Sequence, residues 1–487
     1  MRAADPARRA KPVAPRYSLA MTIPCTFQLN RRTVDLTGSD PTESLLRWLK
    51  RQRLAGTKEG CADGDCGACT VALLQTESDG RTRLTAVNSC LLPLGALPGR
   101  EVITVEGLQD PGAALHPVQQ ALVDSAGSQC GYCTPGFVMS LFAGYYDGDI
   151  GDATIEGNLC RCTGYRPIRD AAAALSRQPV PDDAFAALLR APSTPGAAEL
   201  GHYHSPLTVA AAIALKQQHP DAAWIAGATD LGVELSHGRR SAPAFIALDR
   251  IAELQQLAVG DDAVRIGAGL PLSQLETRLA GLFPALDGML PWFAARQVRN
   301  RATLGGNLGT ASPIGDLLPV LLALDAIVHL RGPGGERDVP IADYFLDYRR
   351  TARQTDELIA AVTLPRHPAP SSTARHASAS YKIAKRQTDD ISIVAAAFDV
   401  AVDDSGRVTR ARLAYGGVAA IPRRAVQVED FLLGRTLDAA THETAQAMLR
   451  EAFTPLSDHR GSADYRRALC ATLFAKFLAT HLPGSPA

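Results

Sequence analysis

The chain has 487 residues, enough for roughly three domains, and its 50 lysines and arginines equal its 50 aspartates and glutamates. The zero formal net charge excludes a basic nucleic-acid-binding protein and a protein with an acidic tail. With 46% hydrophobic and 21% charged residues the composition is globular, and no apolar run reaches the ~18 residues of a membrane-spanning helix.

The first 21 residues differ in composition from the rest of the chain. They contain several arginines, a single acidic residue and no apolar stretch of the kind that a secretory signal requires. The prediction is a disordered tail over residues 1–21, or translation that begins at Met21. A cytoplasmic protein follows, in which reduced thiols are available to bind metal.

The first predicted elements are a hairpin and a helix. Residues 22–37 alternate in polarity around a turn at Asn30-Arg31, which predicts two paired strands. Asp40 is a suitable cap for a helix that begins with proline, so a helix is predicted from Pro41 to Leu54.

Strands and helices alternate along the rest of the chain. Strands are predicted at Thr70–Leu74 and Glu101–Val105, and the pattern from His116 to Ala174 is helical, with two cysteine-rich interruptions. Residues 179–199 are rich in alanine and proline and are predicted to form a linker, and Pro365 to Ala379 a second one.

Eight of the ten cysteines lie within 102 residues of one another. The first four have the spacing Cys-x4-Cys-x2-Cys, with the fourth cysteine after twenty further residues, which is typical of plant-type [2Fe–2S] ligation. Zinc modules favour paired Cys-x2-Cys or histidine spacings instead. Neighbouring glycines let the backbone fold over the sulfurs and hold them with N–H groups. The predicted ligands are Cys61, Cys66, Cys69 and Cys90.

The other four clustered cysteines are Cys130, Cys133, Cys160 and Cys162. By spacing alone, two close pairs on two loops could equally hold a four-coordinate zinc ion. The local sequences Gln129-Cys-Gly-Tyr-Cys-Thr-Pro-Gly136 and Gly157-Asn-Leu-Cys-Arg-Cys-Thr-Gly-Tyr-Arg-Pro167 resemble the second cluster domain of the molybdenum hydroxylases, the xanthine dehydrogenase and aldehyde oxidase family. The first set resembles that family's N-terminal ferredoxin domain, and the resemblance extends over nearly the whole chain from residue 22.

Two glycine-rich segments follow, Ala226–Leu231 and Arg299–Thr310. Neither has the GxGxxG pattern, so a Rossmann domain is not supported. Glycines let backbone N–H groups approach a pyrophosphate, although each segment alone also fits an ordinary turn. Together, downstream of the cluster motifs, they resemble the FAD domain of the same family.

The resemblance implies roles for individual residues. Asp316 matches an acid near the ribityl or phosphate part of FAD, and Phe293 matches an aromatic residue beside the isoalloxazine ring, with core packing as the alternative. Lys382, with Lys385 and Arg386, matches the flavin or pyridine-nucleotide region, with a solvated strand edge as the alternative. Gln129 matches a residue that faces the pterin. The implied FAD contacts are Ala226, Gly227, Ala228, Thr229, Asp230, Leu231, Phe293, Thr303, Gly305, Gly306, Asn307, Asp316 and Lys382.

The implied fold is multidomain α+β. It comprises a β-grasp [2Fe–2S] ferredoxin domain, a four-helix [2Fe–2S] domain, an α/β FAD-binding domain of the vanillyl-alcohol-oxidase/CO-dehydrogenase flavoprotein type, and a C-terminal α+β flavoprotein domain. The expected boundaries are residues 22–107, 108–178, 200–370 and 376–482.

The implied function is electron transfer from a large molybdopterin partner subunit through two [2Fe–2S] clusters to FAD and then to NAD⁺ as acceptor. The chain length is taken up by these domains, so the molybdenum centre is expected on another chain, in a heterotetramer with two of each subunit. Such fusion of the iron–sulfur and flavin parts is typical of bacterial purine-oxidising members. Alternatives are a subunit of a hydroxylase for aldehydes or N-heterocycles, a stand-alone iron–sulfur flavoprotein, and a zinc-binding scaffold.

The resemblance implies no catalytic acid or base on this chain, because the redox chemistry belongs to the cofactors. Neither nucleic acid nor membrane is expected as a partner. His202 and His204 could begin a metal site but lack a nearby third ligand in the sequence, so a surface position is predicted for them. Cys25 and Cys470 are predicted to be small packing residues.

Overall fold

The computed structural model describes residues 23–77, 79–109, 112, 114–191, 196–366, 375–386 and 388–482. The predicted tail over residues 1–21 lies outside the described residues. Four regions follow one another along the chain: an N-terminal sheet region, a helical region, a central region with three sheets, and a C-terminal region.

The N-terminal sheet region is a five-stranded mixed sheet with strand order β2-β1-β5-β3-β4, in which β1 and β5 run parallel. Asn30 and Arg31 have φ of 52° and 65°, which forms the tight turn of the predicted hairpin. Leu45 and Leu49 of the helix are fully buried in the core against the sheet. The elements are β1 (Thr26–Leu29), β2 (Arg32–Asp35), α1 (Leu45–Arg51), β3 (Thr70–Thr76), β4 (Thr82–Asn88) and β5 (Glu101–Ile103).

Helix α1 begins later than predicted, so the assignment of Asp40 as its cap was wrong. Ser44 is the N-cap, and its side chain accepts a hydrogen bond from the N–H of Arg47. Asp40 Oδ1 instead accepts bonds from the N–H and the hydroxyl of Thr42, at 2.9 and 2.7 Å. Asp40 therefore closes a turn ahead of the helix, because a short acidic side chain bonds readily to the backbone two residues on.

The helical region contains α2 (Pro117–Asp124), α3 (Thr134–Asp147), α4 (Asp152–Ile155) and α5 (Arg166–Leu175). Helix α3 is buried along most of its length and ends at Gly148, whose φ of 74° suits glycine. The segment predicted as a linker contains a further helix, α6 (Ala184–Arg190). Phe185 of α6 is buried 5.0 Å from the ring of Phe142, and this packing gives the segment a fixed structure.

The central region has two larger sheets, with strand orders β6-β7-β9-β8 and β10-β11-β16-β12-β13, and a two-stranded sheet, β14-β15. Its strands are β6 (Ala198–Leu200), β7 (Tyr203–Ser205), β8 (Ala223–Ile225), β9 (Phe245–Ala247), β10 (Leu257–Val259), β11 (Ala263–Gly267), β12 (Ile327–Gly332), β13 (Gly335–Pro340), β14 (Phe345–Asp347), β15 (Arg350–Thr351) and β16 (Leu358–Pro365). Its helices are α7 (Val209–Gln218), α8 (Leu231–Ser236), α9 (Leu272–Arg278), α10 (Pro284–Met289), α11 (Arg296–Arg299), α12 (Leu304–Thr310), α13 (Leu317–Ala323) and α14 (Ile341–Tyr344).

The prediction of a surface position was wrong for His204. This side chain is buried on β7, its ring stacks on that of His219, and its Nδ1 lies 3.6 Å from Glu199 Oε2. Glu199 is its partner on the adjacent strand, a long-range neighbour that the sequence pattern did not reveal.

The C-terminal region is an antiparallel sheet with strand order β17-β18-β19-β20, and its helices share a core with the sheet. The elements are β17 (Arg375–Ile383), β18 (Val394–Val402), β19 (Val408–Gly416), β20 (Arg423–Arg424), α15 (Val426–Leu432), α16 (Ala439–Glu451) and α17 (Ala463–His481). The second predicted linker overlaps β17, and its residues 367–374 lie outside the described residues. Cys470 is buried in this core, as expected.

The predicted multidomain α+β fold class is confirmed. A mixed sheet with one helix, a group of helices, and two further α/β regions follow one another along the chain. Among the described residues, no helix is both long and apolar enough to cross a membrane.

Candidate cluster and flavin sites

The first cysteine set lies where the loop after α1 meets the sheet. Cys69 and Cys90 are 2% and 1% exposed, and they flank the paired strands β3 and β4. Cys61 Sγ accepts hydrogen bonds from the N–H groups of Asp63 at 3.4 Å and Cys66 at 3.3 Å, and Cys66 Sγ accepts one from the N–H of Cys61 at 3.3 Å. The loop therefore folds over the sulfurs with N–H groups directed at them, as a thiolate-ligated cluster requires.

The same loop favours the ionised thiol at Cys61, whereas the bond to Cys61 and burial raise the pKa of Cys66. The hydrogen bond from the Cys66 thiol, assisted by backbone N–H groups, lowers the pKa of Cys61 to about 5. A Cβ on Gly60 would lie 2.6 Å from Cys66 Sγ, so glycine is needed for the loop to close around the sulfur. Asn88 Nδ2 donates to the carbonyl of Gly64 at 2.6 Å and fixes the loop to the end of β4.

The second cysteine set lies on two loops of the helical region, one of which leads into α3. Cys130 and Cys162 are exposed, whereas Cys133 and Cys160 are half-buried. The backbone N–H of Tyr132 and the thiol of Cys162 lower the pKa of Cys130. Cys160 Sγ lies 3.2 Å from Thr163 Oγ1. This set has an open face, and Gln129 is exposed beside Cys130 on that face.

In each set the structure brings the four predicted thiols together. The thiols lie as neighbouring pairs that shift each other's pKa: Cys61 with Cys66, Cys69 with Cys90, Cys130 with Cys162, and Cys133 with Cys160. Four convergent cysteines are the donor set of a [2Fe–2S] cluster, so both sites fit that group.

The predicted flavin loops lie side by side. Ala226–Leu231 connects β8 to α8, with Ala228 at φ 64°, and a Cβ on Gly227 would lie 1.8 Å from the carbonyl oxygen of Arg301. At the second loop, Thr303 caps α12 by accepting a 3.0 Å bond from the N–H of Gly306. Thr310 Oγ1 donates to Asp230 Oδ2 at 3.2 Å and joins the two loops.

These loops fit a phosphate-bearing cofactor. Asn307, one turn into α12, has a buried Oδ1 with no hydrogen-bond partner among the described residues. Gly305 and Gly306, at the start of α12, have no side chain that would block access to the backbone N–H groups. The predicted FAD loops therefore lie side by side, and Asn307 Oδ1 can accept a hydrogen bond from a cofactor hydroxyl, since an amide oxygen cannot donate to a phosphate.

Three predicted flavin contacts outside the loops also converge. Lys382 Nζ lies 2.7 Å from Asp316 Oδ2 and donates to the carbonyl of Trp292 at 2.8 Å. Phe293, the next residue, is half-buried against the central core. Ser392 donates to Asp316 Oδ1 at 2.5 Å. Burial raises the pKa of Asp316, and Lys382 opposes this rise.

Lys385 and Arg386, by contrast, donate hydrogen bonds to nearby backbone carbonyls. Lys385 Nζ donates to the carbonyl of His459 at 3.0 Å, and Arg386 Nη2 donates to that of Asp389 at 2.6 Å. Asp389 is buried, and this burial raises its pKa to about 7. Only Lys382 of the predicted basic residues therefore reaches the Asp316 carboxylate.

The first cysteine set lies next to the first flavin loop. Ser236 of α8 donates to the carbonyl of Ala62 at 3.2 Å, and His237 Nε2 lies 2.6 Å from Asp63 Oδ1. A Cβ on Gly232 would lie 2.6 Å from the carbonyl oxygen of Leu91, the neighbour of Cys90. A cavity of about 10 Å³ between them is lined by Asn88, Leu91, Gly227, Thr229 and Arg301, among others.

The two cysteine sets are also in direct contact. The N–H of Leu159 donates to the carbonyl of Cys66 at 3.0 Å, which connects the neighbour of Cys160 to a cysteine of the first set. The order through the molecule is the more exposed second set, the more buried first set, and the flavin loops.

Sequence reasoning missed Asn158, Gln297 and Ser392 as members of these sites. Asn158 lies inside the second cysteine motif and Gln297 lies four residues after Phe293, but their contacts join residues that are far apart in the chain. The sequence shows that these polar residues lie close to ligand motifs, but it does not show which distant residue each of them bonds to.

Comparisons with known proteins agree with this architecture. Models of four domain families match the chain: a 2Fe-2S iron-sulfur cluster binding domain at residues 27–94, a [2Fe-2S] binding domain at 104–173, an FAD binding domain in molybdopterin dehydrogenase at 197–367, and a CO dehydrogenase flavoprotein C-terminal domain at 379–481. Together the fold and the sites define an iron–sulfur flavoprotein.

Relatives cover nearly all of the chain. Xanthine dehydrogenase from Emericella nidulans is 34% identical over 93% of this chain, and xanthine dehydrogenase 1 from Arabidopsis thaliana is 31% identical over 89%. The chain spans 38% of the length of each of these relatives.

Two solved structures share the fold. A chain of carbon monoxide dehydrogenase from Hydrogenophaga pseudoflava that lacks the Mo-pyranopterin moiety matches 58% of this chain and 96% of its own length, at TM-score 0.54 and 27% identity. Quinoline 2-oxidoreductase from Pseudomonas putida 86 matches 58% of this chain and 97% of its own, at TM-score 0.53 and 26% identity. The chain belongs to the molybdenum hydroxylase family, of which it is the electron-transfer iron–sulfur and flavin portion.

Proposed function

We propose that the chain is the small, iron–sulfur/FAD subunit of a bacterial-type xanthine dehydrogenase. Its task is to pass electrons from a partner that oxidises hypoxanthine and xanthine to urate on to NAD⁺. The observation that carries the proposal is the order of the three sites, with an exposed cysteine set at one end and the flavin loops at the other. The named xanthine dehydrogenases that cover most of this chain support the substrate class.

The cofactors are two [2Fe–2S] clusters and one FAD. When bound, the clusters carry single electrons and FAD collects two of them and delivers a hydride to NAD⁺. Their proposed ligands and contacts are the two cysteine sets and the FAD residues named above. Lys382 and Asp316 neutralise each other inside the protein and hold the central and C-terminal regions together beside the flavin loops.

The partner is a large molybdopterin-binding subunit that covers the open face of the second cysteine set. Gln129 and Tyr132 are exposed on that face next to Cys130, and Gln129 is proposed to contact the pterin. We assign a cytoplasmic location, where thiols stay reduced for cluster ligation, and a heterotetramer with two of each subunit. The proposed domains span residues 22–107, 108–178, 200–370 and 376–482.

The test is purification of the chain from its own cell with everything that stays bound. Iron, flavin and molybdenum are then quantified, and xanthine-dependent NAD⁺ reduction is assayed. The proposal predicts about four iron and one FAD per chain, a large molybdenum subunit and purine turnover. If iron and FAD are present but neither molybdenum nor a partner subunit is found, the chain is a stand-alone electron carrier instead.

A second candidate is the equivalent portion of a hydroxylase for another substrate. The similarity to structures of carbon monoxide dehydrogenase and quinoline 2-oxidoreductase favours it. Parallel assays with xanthine, quinoline, an aldehyde and carbon monoxide separate the two candidates. Turnover of one of the last three with no purine turnover selects the second.

A further inference from the structure

The loops that carry the two cysteine sets touch at backbone level, and glycines make this possible. A Cβ on Gly67, between Cys66 and Cys69, would lie 2.2 Å from the carbonyl oxygen of Gly157. A Cβ on Gly136 of α3 would lie 2.3 Å from the carbonyl oxygen of Gly67. These separations leave no room for a side chain, so the loops are held at the shortest distance that packing allows.

Asn158 lies at the centre of this contact and is 2% exposed. Its Nδ2 donates to the carbonyl of Gly67 at 2.9 Å and faces Thr70 Oγ1 at 3.4 Å, so it binds the first cysteine loop. Its Oδ1 accepts from Ser140 Oγ at 2.6 Å. The next residue, Leu159, donates to the carbonyl of Cys66 and precedes Cys160.

The central region completes the same network through Gln297 of α11, which is 1% exposed. Gln297 Nε2 lies 3.0 Å from Asn158 Oδ1, 3.1 Å from Ser140 Oγ and 3.4 Å from Thr70 Oγ1. Arg296 and Arg299 of the same helix pair with Asp149 and Glu156 of the helical region. Through helix α11 the flavin-bearing central region therefore packs against the point where the two cysteine loops meet.

We infer that Asn158 is a positioning residue that fixes the separation of the two cluster sites, and that Gln297 makes this separation depend on docking of the flavin-bearing region. The contact supplies a continuous route of covalent bonds and one hydrogen bond, from Cys160 through Leu159 N–H to the carbonyl of Cys66. Each transfer along it moves one electron, which oxidises the donor cluster and reduces the acceptor cluster by one electron each. A hydrogen bond buried away from water keeps a defined length, because breaking it would leave polar groups unpaired.

The inference rests on the two cluster sites and is independent of which substrate the partner oxidises. Its test uses the purified holoprotein with Asn158→Leu and Gln297→Met, which keep similar side-chain volume and remove the hydrogen bonds. Asn300→Leu is the matched control, since Asn300 Nδ2 also donates from the central region to a backbone carbonyl, that of Ala86, at 2.9 Å, outside the network. Iron content, cluster-to-cluster magnetic coupling by electron paramagnetic resonance, and electron-transfer rate after photoreduction are measured.

We expect Asn158→Leu to keep its iron and the spectral shape of each separate cluster, while the magnetic splitting between the two reduced clusters is lost and transfer between them slows severalfold. Gln297→Met should weaken the splitting less, and Asn300→Leu should leave it unchanged. A purely structural role would change stability without changing the splitting. Unchanged splitting in both network variants at full iron content overturns the inference. If Asn158→Leu loses iron, the magnetic splitting in Gln297→Met tests the inference instead, because the Gln297 side chain lies outside both cysteine loops.

Discussion

The two cysteine sets touch one another and each has two half-buried members, but the other two cysteines of each set lie in opposite surroundings. Cys69 and Cys90 flank paired strands and are almost completely buried, whereas Cys130 and Cys162 are exposed on loops between helices. A buried cluster site lies nearest to groups that the same chain packs against it. An exposed site can meet a group on another molecule. This difference is the reason that we propose transfer within the chain for the inner set and contact with a partner for the outer set.

The largest expected effect comes from removing one cysteine of each set. Cys69→Ala and Cys130→Ala should each lose about half of the iron, since a [2Fe–2S] cluster needs four thiolates. Cys69→Ala should also lower the free energy of unfolding more than Cys130→Ala does, because it opens space in a packed core. Iron analysis and urea unfolding measure both. Full iron content in Cys130→Ala would contradict the ligand assignment.

The buried pair beside the flavin loops should give the next largest effect. Lys382→Met leaves the Asp316 carboxylate buried without its cation, and breaking such a pair costs about 3–5 kcal/mol. Urea unfolding should show this loss together with a lower FAD content. The double variant Lys382→Met/Asp316→Asn should recover most of the stability. Equal stability of the single and double variants would show that the pair contributes little.

The helical region should also be sensitive to acid through His116. Burial lowers the pKa of His116 to about 4, against about 6.5 in an unfolded chain. Between these values the unfolded state binds a proton that the folded state does not, so stability is complete above pH ~6.5 and falls with decreasing pH. The expected loss is about 2 kcal/mol at pH 5 relative to pH 7.

Hydrogen exchange of the helical-region amides at pH 7 and pH 5 measures this loss. His116 packs against Phe142, Tyr145, Tyr146 and Phe185, and Asp183 is the nearby acid that opposes the shift. His116→Gln should be less stable at pH 7 and should lack this pH dependence. The same pH dependence in the variant and the wild type would assign it to other groups.

The smallest effect is expected at an exposed ion pair of the helical region. Arg169 and Asp152 lie 2.6 Å apart with side chains 60% and 70% exposed, so solvent screens their attraction. Asp152→Asn should change the free energy of unfolding by less than about 1 kcal/mol. Thermal unfolding at low and high salt is the measurement. A loss as large as that of Lys382→Met would remove the contrast between buried and exposed pairs.

Structural features that depend on residues close together in the chain could be predicted from the sequence. The spacing of Cys61, Cys66 and Cys69 predicts a loop that folds over its sulfurs, and the structure has that loop. The turn at Asn30-Arg31 was predicted for the same reason, since both signals lie within a few residues. At α1, Asp40 and Ser44 are both suitable caps, and only the packing of the helix against the sheet decides between them.

Contacts between residues that are far apart in the chain could not be predicted from the sequence. Gln297 reaches Asn158 across 139 positions, and Ser392 reaches Asp316 across 76. His204 is buried because its strand pairs with that of Glu199 on one side and with β9 on the other. Such contacts depend on how the four regions dock, which the order and spacing of residues in one sequence do not specify.

The most direct test of the proposed electron flow from purine to NAD⁺ is an anaerobic titration of the purified complex. Xanthine is added while the visible absorbance of the clusters and the flavin is followed, and NAD⁺ is added afterwards. We expect xanthine to bleach both absorbances and NAD⁺ to restore them. Bleaching by NADH with none by xanthine, in a complex that holds molybdenum, would contradict the proposed purine-to-NAD⁺ direction of electron flow.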